Sequence, residues 1–199
     1  MNRFTHALAG AVLTVALGAC ATAPNARFYT LSATAPAAAG LQVPAGSSLA
    51  VGPVDVPEYL DRPQMVTRIG ASELAVHEFQ RWAGVLQEEA TRAVARNLAN
   101  LLGTRKVHLY PGRTAAAADL RVVIELRSFE GTPGATVTLD AAWSILDERR
   151  AEVVHTGFST HSAASGTGFD AYARALSDTL AALSRDIARE LQRIAASSP

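Results

Sequence analysis

The chain has 199 residues and balances 18 lysines and arginines against 18 aspartates and glutamates. A neutral chain lacks the positive field that follows a phosphate backbone, which argues against nucleic acid as a partner. Its length suits one domain rather than two, and one cysteine excludes an internal disulfide, so packing must supply the stability.

The first segment reads as an export signal. Arg3 gives a positive start, Ala7 to Leu17 an apolar run, and Gly18 and Ala19 the small residues a signal peptidase needs. The run stops short of the roughly 20 apolar residues that cross a bilayer. Leu17, Gly18, Ala19 and Cys20 resemble the lipobox of bacterial lipoproteins. That resemblance implies a diacylglycerol thioether on Cys20, with an N-acyl chain once cleavage frees its amine. The alternative is a small buried cysteine beside an ordinary signal. Each acyl chain contributes about 0.8 kcal/mol per buried CH₂, so several chains make Cys20 an anchor rather than a nucleophile. Residues 1–19 are then the signal peptide, 20–26 the lipidated cysteine and tether, and 27–196 the folded domain. Ala21 stands where inner-membrane lipoproteins of enterobacteria typically carry aspartate. By that resemblance, the address is the periplasmic face of the outer membrane. Seven residues lead from Cys20 to Arg27, a reach of about 23 Å at most.

Phe28 to Leu31 predicts a short strand, and the alanine, proline and glycine rich residues from Ala33 to Ser47 an irregular surface loop. Leu49 to Val56 predicts a second strand, closed by Pro57; the turn "PEYLDRP" runs to Pro63. Residues 64–70 and 73–79 predict a hairpin around Gly70. From Ala83 to Leu102 the apolar period becomes helical, with Leu86, Ala90, Val94 and Leu98 on one face and Gly103 as C-cap. Val107 to Tyr110 is a short strand. "ADLRVVIELRSFE" and "ATVTLDAAWSILD" alternate apolar and polar residues around the turn "GTPG" at 131–134, and residues 152–162 give one more strand. The last helix, Phe169 to about Ala195, carries a stripe of Tyr172, Leu176, Leu180, Leu183, Ile187, Leu191 and Ile194. These elements predict one α+β domain, a largely antiparallel sheet with two main helices packed on one face.

Nothing in this pattern assembles a catalytic or metal site, so the expectation is a non-enzyme without cofactor or metal. His155 and His161 lie an even number apart, so they face the same way, yet six strand residues separate them by roughly 20 Å, too far to share an ion. His77 and His108 have no neighbours at ligand spacing. No G-x-S-x-G elbow occurs. "SGTG" at 165–168 lacks the lysine of a phosphate loop and reads as a flexible helix start.

Across most of the mature chain the sequence resembles the PqiC family, the auxiliary lipoprotein component of ABC-type transport. The resemblance rests on "RFYTL", "VGPVDVPEYLDRPQMVTR" at 51–68, "FQRWAGVL" at 79–86, the hairpin ending in "AAWSIL", and "GFDAYARAL". It implies a non-enzymatic lipoprotein that meets the tunnel of an MCE-domain protein, a hexameric ring, at the outer membrane and supports envelope integrity; a ring-shaped partner in turn suggests a matching homo-oligomeric ring of this chain. Many relatives continue with glutamate and proline after the equivalents of Arg81, Trp82 and Ala83; this chain has Gly84 and Val85. Two prolines stiffen the turn that displays Tyr59 and Arg62, residue types favoured as interface anchors, so the candidate docking residues are Pro57, Glu58, Tyr59, Leu60, Asp61, Arg62, Pro63 and Gln64. The competing reading packs Tyr59 and Leu60 inward and leaves Asp61 and Arg62 to pin the turn. Arg81 and Trp82 are further candidates, though tryptophan at a strand-to-helix junction more often packs into a core. Two other functions stay open: a carrier that shields acyl chains in its own cavity, and a structural lipoprotein of another envelope machine.

Overall fold

The structure is a computed structural model that describes residues 25–37 and 47–197. The expected signal peptide, Cys20, Ala21 and residues 38–46 of the expected loop lie outside the described residues.

Among the described residues, eight strands and two long helices follow the expected order, with shifted ends. β1 is Arg27–Tyr29, β2 Leu49–Asp55, β3 Gln64–Arg68, β4 Leu74–Trp82, α1 Leu86–Leu102, β5 Val107–Leu109, β6 Leu120–Gly131, β7 Thr136–Asp147, β8 Glu152–Ala164 and α2 Phe169–Ser197. The chain is the expected single α+β domain, with its strands divided between two mixed sheets whose long pairings, β3–β4, β6–β7 and β7–β8, are antiparallel. The smaller has the order β1-β4-β3 and the larger β5-β2-β6-β7-β8. β1 runs parallel to β4, and β2 runs parallel to both β5 and β6. Parallel neighbours need a long crossover, which β3, β4 and α1 supply between β2 and β5.

The helices lie against the larger sheet, α1 over β2 and β5, α2 over β7 and β8, and they touch each other. The alternating residues meet them: Leu120, Val122, Ile124 and Leu126 of β6 and Val137, Leu139, Ala141, Trp143 and Ile145 of β7 are buried. On α2 the expected stripe is buried from Tyr172 to Leu191, with Ile194 packed at its edge. Each such leucine or isoleucine is worth about 1.5–3 kcal/mol when fully buried, so this helix is held by its stripe rather than by propensity. α1 starts at Leu86, three residues later than its apolar period suggests, because Arg81 and Trp82 still belong to β4. It ends as expected on Gly103, whose left-handed φ of 59° costs glycine nothing. The segment after β1 is irregular but not all surface: Leu31 and Ala35 are buried, and the Ala35 N–H donates to Asn97 Oδ1 of α1 at 3.0 Å.

Candidate docking surface

The "PEYLDRP" turn joins β2 to β3. Pro57, at φ −55° and ψ 139°, leads into a single 3-10 turn, Glu58–Leu60, closed by Leu60 N–H to Pro57 O at 2.8 Å and Asp61 N–H to Glu58 O at 3.1 Å. Its inner side is committed to the domain. Leu60 is 3 % exposed, and the Tyr59 hydroxyl donates to Glu130 Oε2 at 2.8 Å.

Glu130 is buried, and both its oxygens are satisfied: Oε1 accepts from Arg68 Nη2 at 2.6 Å and Nε at 3.1 Å, Oε2 from the Tyr59 hydroxyl and the Phe129 N–H, each at 2.8 Å. A buried carboxylate is tolerated only when paired and bonded in this way. Burial, then the hydrogen bond and negative charge of Glu130, push the Tyr59 phenol up to about 12. The same carboxylate raises the Arg68 guanidinium. Behind it, the Tyr172 hydroxyl of α2 donates to Val66 O at 2.9 Å and accepts from Gly131 N–H at 3.2 Å, and its burial raises that phenol too. β3, β6, α2 and the turn are thus tied at one polar knot.

The outer side of the turn is free. Glu58, Asp61, Arg62 and Pro63 are exposed, and among the described residues the Arg62 guanidinium has no ion-pair partner. The two groups of candidates meet here, because the Trp82 N–H donates to Pro63 O at 2.7 Å and Gln64 pairs with Arg81. Arg62, Pro63, Trp82, Gly84, Val85 and Leu86 line a shallow groove of about 350 Å³. Trp82 forms its buried floor and Val85, 52 % exposed, its wall. Pro57, Tyr59, Gln64 and Arg81 are half-buried. The Gln64 amide donates to Glu78 Oε2 at 3.2 Å, and Arg81 stands 3.9 Å from the same carboxylate's other oxygen.

Val85, Arg68 and Glu130 are site residues that the sequence pattern does not mark. Strict alternation along β6 assigns Glu130 to the phase of Leu126. A bulge between Leu126 and Ser128 instead puts Phe129 opposite Leu139 on the core side and Glu130 opposite Thr138, turned toward β3.

The histidines take structural places. His155 and His161 share the α2 side of β8, as their spacing predicts, but meet different carboxylates: His155 Nδ1 lies 3.2 Å from Glu190 and His161 Nε2 2.7 Å from Asp186. Ser159 lies between them, donating to Asp186 Oδ2 at 2.8 Å and accepting from the Trp143 N–H at 3.1 Å. Burial raises the Asp186 carboxyl, but hydrogen bonds from Ser159 and His161 outweigh it and hold the group below its ordinary value. His77 Nε2 is 2.8 Å from the Thr67 hydroxyl, with its ring edge-on to Phe169 at 4.7 Å, and burial lowers its pKa. His108 is half-buried on β5. Among the described residues, no three His, Cys, Asp or Glu side chains gather where an ion could bind them. The SGTG segment is a helix start tied to the β6–β7 turn, with Ser165 N–H donating to Ala135 O at 2.8 Å and Gly134 N–H to Gly166 O at 3.0 Å.

Fold and site together define a small mixed-sheet α+β body with a stiff, partly charged turn at its surface. Protein XCC0632 from Xanthomonas campestris has this fold: its crystal structure aligns at a TM-score of 0.68 with 19% identity, covering 82% of this chain and 93% of that one. The crystal structure of an uncharacterized protein aligns at 0.67 with 18% identity, covering 84% and 99%. No curated protein matches the sequence. The chain belongs to the family described as the ABC-type transport auxiliary lipoprotein component, which matches residues 29–188. Its members are membrane-anchored lipoproteins that act as auxiliary components of a transport system.

Proposed function

We propose that this chain is the outer-membrane lipoprotein subunit of an MCE-type intermembrane lipid transport system, anchored through Cys20 on the periplasmic face. It docks or completes the outer-membrane end of the tunnel and has no catalytic role or cofactor. The observation that carries the reading is the family match across residues 29–188. The turn supports it, because the polar knot at Glu130 holds Asp61, Arg62 and Pro63 in one conformation beside the Trp82 and Val85 groove, and a preorganised surface binds with less ordering cost.

The tether is consistent with this role. A domain of this length has a radius of gyration of about 16 Å, and about 23 Å of chain separates it from Cys20, so a long partner must span the distance to the other membrane. If that partner is a hexameric ring, a homo-oligomeric ring of this chain is its natural match. Purified lipoprotein should capture the MCE protein encoded beside it and enlarge on light scattering when the two are mixed. Monomer alone, with and without the partner, would refute the docking role, and phospholipid carried on the isolated chain in native mass spectra would favour a carrier.

A further inference from the structure

β1 is the part of the folded domain next to the tether, and it does not bury all of its side chains. Tyr29 turns inward and is 8 % exposed, donating its hydroxyl to Gln80 Oε1 at 2.7 Å. Phe28, between Arg27 and Tyr29, is 64 % exposed. Register places Phe28 beside Arg81 of β4, and Phe79, two residues earlier on β4, is 42 % exposed. Arg81 keeps a third of its side chain in solvent, whereas Arg27, exposed but on the alternate phase, sets its guanidinium 5.9 Å from the Tyr29 ring. Of the acids nearby among the described residues, Glu78 is shared by Arg81 and Gln64, and Asp170 of α2, which lines the hollow beside Phe28, is paired with Arg174 at 3.3 Å. Exposed aromatic rings beside an arginine, one strand-end from the proposed lipidation site, have the chemistry of an interfacial anchor: rings enter the boundary of the acyl chains and a guanidinium group meets lipid phosphates.

We infer that the Phe28, Phe79 and Arg81 edge of the small sheet lies on the bilayer that holds Cys20, so that the anchor sets the orientation of the domain as well as its address. The inference rests on the proposed lipidation of Cys20. Eight residues separate Cys20 from Phe28, a reach of about 26 Å at most, so the domain cannot leave the membrane and Phe28 is the exposed ring nearest the anchor along the chain. With this edge down, the Arg62 and Val85 groove, which adjoins the same end of β4 at Trp82, stays close to the membrane beside the contact, where a tunnel mouth would arrive.

The test uses the full lipidated chain. Alkylation consumes the Cys20 thiol, and the chain has no other cysteine, so Phe28→Cys supplies the one free thiol for an environment-sensitive fluorophore. Phe158→Cys serves as control, because Phe158 on β8 is 68 % exposed and far from the anchor in sequence. In vesicles of phosphatidylethanolamine and phosphatidylglycerol, the label at position 28 should shift to the blue and be quenched by brominated acyl chains. The label at 158 should remain open to an aqueous quencher. Equal aqueous quenching at the two positions, with acyl mass present on Cys20, overturns this inference and leaves the anchor standing. Protection of position 28 only after the MCE protein is added overturns it in favour of a protein contact. An intact mass without acyl chains refutes the anchor itself, and the inference with it.

Discussion

Tyr59→Phe removes one oxygen from the polar knot and changes nothing else in the turn. The lost bond runs from a phenol to a buried carboxylate, 2.8 Å long, and hydrogen bonds to charged groups contribute about 1.5–3 kcal/mol. Tyr59 is only half-buried, so returning water and screening reduce the expected loss to about 1–2 kcal/mol. For a domain of this size that lowers Tm by roughly 2–8 °C. The pH dependence carries an independent signature. The phenol is raised from 10.0 to about 12 in the folded state, so its protonated form favours folding. That contribution is full below pH 10 and disappears as pH rises through about 12, because the unfolded chain loses its proton first. Urea unfolding near neutral pH reads the first effect. Ultraviolet titration of the four tyrosines reads the second, in which Tyr59→Phe should delete one of the late-ionising phenols. In a Glu130→Gln background the substitution should cost less, since the charged acceptor is gone. An unchanged midpoint together with an unchanged high-pH titration would refute the tie between the turn and Glu130.

Other substitutions probe the rest of the molecule. Gly157→Ala places a Cβ 2.4 Å from Trp143 Cζ2, so the ring must move and release Ser159; a loss of about 2–4 kcal/mol is expected from overpacking plus one hydrogen bond, and a loss under about 0.5 kcal/mol would contradict the packing. Burial lowers the His77 pKa below its ordinary value of 6.5, so as pH falls the unfolded chain binds a proton first and stability falls with it. Between about pH 7.5 and pH 5.5 the wild-type protein should therefore lose more stability than His77→Phe, as read by urea midpoints. Arg62→Glu should weaken capture of the MCE partner about tenfold or more while shifting stability by less than about 0.5 kcal/mol, since the side chain is exposed; wild-type capture by the folded variant would exclude Arg62 from the docking surface.

The sequence made the local features legible, because their signals lie within a few residues. The α2 stripe, the Gly103 cap, the β3–β4 and β6–β7 hairpins and the common facing of His155 and His161 all follow from periods of 3.6 or 2 and from turn residues. The tertiary structure decided what depends on distant partners. β2 and β6 pair in parallel across a crossover no local pattern announces, the β6 bulge turns Glu130 out of its expected phase, and Tyr59 finds that carboxylate 71 residues away. The competing inward reading of the turn therefore holds for Leu60 and the Tyr59 hydroxyl, while Asp61, Arg62 and Pro63 remain outside. A turn's shape is written in its prolines, but which of its faces is solvent depends on what folds against it.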